Sequence, residues 1–124
     1  MKVKPTSKEL EILKILWDNG PSTVRFINEE QNRNEKTGYT TTLKVMQIMY
    51  DKGFLDRDES SRSHIYKTKI KESDTKNGLL SNLLNNIFGG STSKMVLQAL
   101  GTNETTKEER DQIRELLDKL ENKN

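Results

Sequence analysis

The chain has 124 residues, of which only 31% are hydrophobic and 32% are charged, a composition that favours oligomerisation because a short chain buries little of its own surface. It has no cysteine, which excludes disulfides and thiolate metal sites, and it shows neither a signal-peptide pattern nor a membrane-length apolar run, so we expect a soluble cytoplasmic protein without membrane insertion. The net charge of +2 divides unevenly, at +3 for residues 1–70 and −1 for residues 71–124, which permits polyanion binding without proving it.

The first predicted helix begins at a capping box, in which Thr6 precedes Glu9 by three residues. Apolar residues recur after it at helical spacing, and the Asn-Gly-Pro sequence at 19–21 marks its end. Ser22 is predicted to cap a short second helix. The polar stretch 31–38 is predicted to be a loop without an apolar anchor.

A third helix is predicted from about Thr40 to Lys52, and Gly53 suits the left-handed residue that ends many helices. One face of this helix is predicted to carry Tyr39, Leu43, Met46 and Tyr50. The roughly opposite, polar side carries Thr40, Lys44, Gln47 and Asp51.

Two short strands are predicted next, at residues 54–57 and 65–70, with a polar tip at 58–63 between them. Three helices followed by a hairpin is the order of a winged helix. We therefore predict a winged helix-turn-helix domain over residues 1–70.

The tail, residues 71–124, is predicted to be helical. One helix spans about 73–88 and stops at a Gly-Gly pair, a short one spans 91–100, and a second capping box at Thr106 and Glu109 opens the last. The apolar stripes exceed what 54 residues can bury on themselves, so we predict a dimerisation region. Its interface residues are Leu79, Leu80, Leu83, Leu84, Ile87, Phe88, Val96, Leu100, Ile113, Leu116, Leu117 and Leu120. The predicted fold class is mostly α with a small β wing.

Four segments together resemble the penicillinase-repressor family of bacterial regulators, the BlaI/MecI/CopY group. Residues 9–24 are similar to its first helix with the closing tryptophan and Gly-Pro turn, and residues 38–55 to its recognition helix and the start of the wing. Residues 64–70 resemble the second wing strand, and residues 87–100, with the sequence Phe-Gly-Gly-Ser, resemble the joint of its dimerisation region.

The resemblance implies a homodimer that binds a palindromic double-stranded DNA operator and represses transcription. In resistance members of the family a regulatory protease pathway cuts an Asn-Phe bond in the tail. The comparable position here reads Gln98-Ala99, so the resemblance does not carry this cleavage over. Copper-responsive members use a cysteine motif that this chain lacks. The inducing signal is thus left open, and no cofactor is predicted.

The polar face of the third helix is the predicted site of base recognition, since base edges in the major groove are read by directional hydrogen bonds. Lys44 can donate to guanine or to phosphate, and Gln47 can pair with adenine. Residues at the start of the second helix and at the wing tip are candidates for backbone contacts. The predicted DNA-binding residues are Thr40, Thr41, Lys44, Gln47, Thr23, Arg25, Ser61 and Arg62.

Each of these candidate residues also has an explanation that does not involve DNA binding. The polar face of the third helix can be merely solvated, Arg25 can be a surface charge, and Asp58 and Glu59 at the wing tip would repel phosphate. Trp17 is predicted to be a core aromatic and the single histidine to lie on a wing strand, where it makes a poor metal site. We expect no enzyme. A winged-helix adaptor that binds protein instead of DNA is the alternative function.

Overall fold

The computed structural model describes residues 4–123 and divides the chain into two compact units between Leu79 and Leu80. Within these residues there are six helices and three short strands, which confirms the predicted fold class. In chain order they are α1 (Ser7–Asn19), β1 (Ser22–Thr23), α2 (Val24–Gln31), α3 (Tyr39–Asp51), β2 (Leu55–Asp58), β3 (Ile65–Thr68), α4 (Glu72–Asn86), α5 (Thr92–Thr102) and α6 (Lys107–Asn122).

Helix α1 begins and ends as its sequence predicts. The Thr6 hydroxyl accepts a hydrogen bond from the Glu9 amide at 3.2 Å, and the Glu9 carboxylate accepts one from the Thr6 amide at 2.8 Å. At the other end Gly20 has φ 82°, a conformation that glycine adopts without strain, and its amide donates to the Leu16 carbonyl at 2.7 Å. Both signals of the predicted helix are thus confirmed.

The cap of α2 is Thr23, so the prediction of Ser22 is wrong. Thr23 accepts a hydrogen bond from the Phe26 amide at 3.1 Å, whereas the Ser22 hydroxyl donates back to the Gly20 carbonyl at 2.8 Å. Both residues are extended and form β1, which pairs with β3. A strand of two residues carries no alternation of polarity, which is why β1 was not predicted.

Helix α3 is one residue longer at its start than predicted, and its buried side is rotated. Thr42, Met46 and Met49 are buried, while Tyr39 is 49% exposed. Of the four residues on the predicted apolar face, only Met46 is buried. Apolar character alone misplaced the face, because a threonine with satisfied hydrogen bonds occupies a core position.

The three strands form an antiparallel sheet in the order β1-β3-β2. Thr23 pairs with Ile65, and Arg57 pairs with Tyr66, so the start of α2 lies beside the wing. Both wing strands lie near their predicted places, but β3 ends earlier, at Thr68. His64 lies just before β3 instead of within it, a small correction.

The first unit is built around a closed apolar core. Trp17 packs against it, as predicted, and its indole Nε1 donates to the Ile70 carbonyl at 3.1 Å, which ties α1 to the chain after the wing. Glu9 is 3% exposed and its carboxylate accepts from Lys52 Nζ at 2.7 Å, so α1 is also joined to the end of α3. The buried hydrophobic residues are Ile12, Leu13, Leu16, Val24, Ile27, Met46, Met49, Phe54, Leu55 and Tyr66.

The second unit consists of helices with clear local signals. Gly89 and Gly90 have φ 58° and 82° and follow α4, and Ser91 caps α5 by accepting from the Lys94 amide at 3.2 Å. The predicted capping box of α6 is confirmed, with distances of 2.8 and 3.1 Å between Thr106 and Glu109. No residue of the described segment 80–123 is buried.

Candidate nucleic-acid interface

The turn between α2 and α3 is fixed by a polar network that is partly buried. The Thr42 hydroxyl donates to the Gln31 side chain at 2.6 Å and accepts from the Asn28 side-chain amide at 2.9 Å. Asn28 also donates to the Thr37 carbonyl at 2.9 Å. Because buried polar groups are costly when unpaired, this network holds α3 at one angle to α2. The loop thus has a polar anchor, which a search for apolar anchors could not find.

The polar face of α3 is presented to solvent. Thr40, Thr41, Lys44 and Gln47 are all exposed, and the buried side of the same helix is held by the core. They offer hydroxyl, ammonium and amide groups within two turns of a fixed helix. This arrangement suits hydrogen bonding to base edges in a major groove.

A cavity of about 520 Å³ lies between the start of α2, α3 and the wing. It brings together four of the predicted DNA-binding residues, namely Thr23, Arg25, Gln47 and Arg62, while the other four lie outside its lining. Sequence reasoning missed further polar residues of this lining, among them Tyr39, Arg57 and His64. None of the residues that line this cavity is acidic.

Arg57 of β2 is the most constrained cation of this cavity. Its Nε donates to the Glu59 carboxylate at 2.6 Å, and its guanidinium carbon lies 4.0 Å from the centre of the Tyr50 ring. The hydrogen bond with Glu59 raises the pKa of Arg57, and the same bond and the guanidinium charge lower the pKa of Glu59. Folding brings the Tyr50 ring of α3 onto Arg57, and no sequence signal distinguishes Arg57 from other wing cations.

The two carboxylates of the wing tip are both engaged by neighbours. Hydrogen bonds from the Ser60 hydroxyl and backbone amide lower the pKa of Asp58, and the amide lies 2.9 Å from its Oδ1. Glu59 is held by Arg57. Ser61 and Arg62 are exposed at the tip, where the Ser61 hydroxyl donates to the Ser63 carbonyl at 2.9 Å. The wing thus presents a cation beside carboxylates that already have partners.

Two further features are absent from residues 4–123. This part of the chain contains no cluster of three or more acidic or histidine side chains placed to hold a metal ion. None of its helices combines the length and the apolar character that crossing a membrane requires.

Comparison with known proteins gives a consistent picture. The family model described as the penicillinase repressor matches residues 5–119. The methicillin resistance regulatory protein MecI of Staphylococcus aureus is 25% identical over 114 residues, which are 92% of this chain and 93% of that protein. A penicillinase repressor of Staphylococcus aureus is 23% identical over 122 residues, 98% of this chain and 97% of that protein. A penicillinase repressor of Bacillus licheniformis is 24% identical over 115 residues, 93% of this chain and 90% of that protein. The similarity extends over both units.

Proposed function

The chain belongs to the penicillinase repressor family of transcriptional repressors, and on this basis we propose that it is a homodimer that binds a palindromic DNA operator through α3 and the wing. The observation that carries the proposal is the exposed polar face of α3 beside a cavity lined by three arginines and no acidic residue. Arginine is a common donor to DNA phosphates, and polar side chains on an exposed helix can read base edges.

The proposed contacts divide into two kinds. Lys44 and Gln47 read bases, and Thr40 and Thr41 offer hydroxyls and methyls to the same groove. Residues at the start of α2 and at the wing tip contact the DNA phosphate backbone, which positions the protein on DNA without reading its sequence. The backbone contacts are assigned to Thr23, Arg25, Ser61 and Arg62.

The second unit supplies the proposed dimer contacts. Apolar side chains along α4, α5 and α6 are exposed in the single chain, among them Leu83 at 45% and Leu116 at 57%. A second copy that covers them would bury the apolar surface that the chain leaves open. It would also set the distance between two copies of α3, and hence the spacing of the operator half-sites.

Lys44→Ala tests the assigned face of α3. An operator is first selected with the wild-type protein from a pool of random duplexes, and affinity is then measured by fluorescence anisotropy at several salt concentrations. If Lys44 contacts a guanine, we expect a loss of about 10- to 100-fold on the selected operator, with an unchanged dimer. Lys14→Ala, which removes the same charge from an exposed position of α1, is the matched control.

The outcomes separate the two functions. Selective, steeply salt-dependent binding by the wild type supports a DNA-binding repressor, because phosphate contacts release counterions. If Lys44→Ala binds as tightly as the wild type, the assigned face is wrong. If no duplex binds even at low salt, the protein-binding adaptor becomes the better interpretation.

A further inference from the structure

The wing contains an ion pair at the edge of the candidate interface that the proposed contacts do not use. Arg57 lines the cavity between α3 and the wing, yet its Nε is bound to Glu59 at 2.6 Å. The two side chains differ in exposure, at 22% for Arg57 and 51% for Glu59. The cation is therefore held in place by the fold, while the carboxylate lies at the open tip.

The position of Arg57 is determined by packing as well as by charge. Its guanidinium lies over the Tyr50 ring, and its backbone is fixed by pairing with Tyr66 in the sheet. Such a stacked guanidinium keeps its direction when an ionic partner is exchanged, because the planar group is already oriented. Arg25 and Arg62 line the same cavity, so an anion that enters meets three guanidinium groups.

We propose that Arg57 binds a phosphate of the DNA backbone, and that the Glu59 carboxylate occupies the same guanidinium in the free protein as an internal competitor. The inference rests on the proposed DNA-binding function and adds a site to it. Carboxylates and phosphates pair with guanidinium in the same charge-assisted manner, so one can replace the other. Release of Glu59 costs little, since it moves into solvent from a half-exposed ion pair.

Competition of this kind has a definite signature. A phosphate contact carries no sequence information, so Glu59 should weaken binding to the operator and to random duplex by the same factor. Glu59→Gln is therefore expected to strengthen binding to both DNAs by about 2- to 5-fold. When Arg57 is already replaced by glutamine, Glu59→Gln should raise DNA affinity only as much as removing a distant negative charge would.

Asp58→Asn is the matched control, because it removes the same charge from the adjacent residue, whose carboxylate is held by Ser60. The four variants Glu59→Gln, Asp58→Asn, Arg57→Gln and Arg57→Gln/Glu59→Gln are compared by anisotropy on the selected operator and on random duplex. Arg57 packs on Tyr50, so its replacement by glutamine changes packing as well as charge. Arg57→Lys is therefore measured as well, because lysine keeps the charge but lacks the planar fork. Trp17 fluorescence reports whether each variant is folded.

The proposal predicts that Glu59→Gln gains more than Asp58→Asn, and that Arg57→Gln reduces the slope of affinity against salt by about one phosphate contact. Equal gains from Glu59→Gln and Asp58→Asn, with or without Arg57, would overturn it and leave DNA binding intact. A wild-type salt slope in Arg57→Gln and in Arg57→Gln/Glu59→Gln, which both lack the charge, would also overturn it. Absence of DNA binding by the wild type would instead overturn the proposed function itself.

Discussion

The two units of this chain form helices by the same local rules but differ in what those helices bury. Each unit contains a helix that opens with a threonine–glutamate capping box, at Thr6 and Glu9 in α1 and at Thr106 and Glu109 in α6. In the first unit ten hydrophobic side chains are buried. In the second, no described residue is buried.

The difference shows that helix signals and core formation are separate properties. A capping box satisfies backbone donors within one turn, whatever the helix packs against. Stability of a folded helix comes mainly from burial of its apolar face, and α6 leaves Leu116, Leu117 and Leu120 more than half exposed. The first unit is thus stabilised by its own core, whereas the second leaves its apolar faces exposed, and we propose that a second copy covers them.

The largest effect is expected from a charge placed in the exposed apolar stripe of α4. Leu83→Asp would be buried in the proposed dimer, and a charge there raises the dissociation constant by about a thousandfold or more. Ser81→Asp, an equal charge on the polar side of α4, should leave the dimer intact. Sedimentation velocity or light scattering distinguishes the two. An intact Leu83→Asp dimer would place the interface elsewhere.

Truncation of matched leucines tests the contrast in burial. Leu13 is fully buried, and Leu13→Ala should lower the free energy of unfolding of the first unit by about 2–5 kcal/mol. Leu116 is 57% exposed in the single chain, so Leu116→Ala should weaken the dimer while leaving the first unit almost unchanged.

The single tryptophan makes this measurement specific. Trp17 lies in α1, so its fluorescence in urea reports the first unit, while circular dichroism reports the helices of both. The separation of the two units would be contradicted if Leu116→Ala lowered the free energy of unfolding, as reported by Trp17 fluorescence, as much as Leu13→Ala does.

Much of the fold could be predicted from the sequence because local signals determine helix ends. The capping boxes, Gly20 and Gly53 placed α1, α3 and α6 to within a residue or two. What could not be predicted depends on residues far apart in the chain. Thr42 is polar yet buried because Asn28 and Gln31 satisfy its hydroxyl, so the buried side of α3 was misplaced.

The candidate site shows the same division between local and distant information. The exposure of Thr40, Lys44 and Gln47 followed from the polar face of one helix. Arg57 was missed because its place in the cavity depends on the pairing of two strands and on the Tyr50 ring. Periodicity reveals faces of single elements, but it does not reveal which cations several elements bring together.

The smallest effect is expected from removing the glutamate carboxylate of a capping box, and it should differ between the boxes of α1 and α6. Burial alone raises the pKa of Glu9, but hydrogen bonds from Lys52 and Thr6 and the charge of Lys52 outweigh it, so the pKa lies below the ordinary value of 4.5. A lowered pKa in the folded state means that ionised Glu9 stabilises the fold above pH 4.5 and that this contribution is lost as the pH falls through the folded-state pKa. Glu9→Gln should therefore lower the free energy of unfolding by about 1–2 kcal/mol at neutral pH, and by less in acid.

Glu109→Gln is the control, because it removes the equivalent carboxylate from the exposed box of α6, where the hydrogen bonds are to Thr106. Urea unfolding followed by Trp17 fluorescence at pH 7 and pH 3.5 should give wild-type behaviour for Glu109→Gln at both. If the free energies of unfolding of the wild type and Glu9→Gln differ equally at the two pH values, local capping accounts for the loss of stability and the Lys52 ion pair does not. A gap that narrows in acid would show that the same four-residue motif has become, in the first unit only, a tertiary link between α1 and the end of α3.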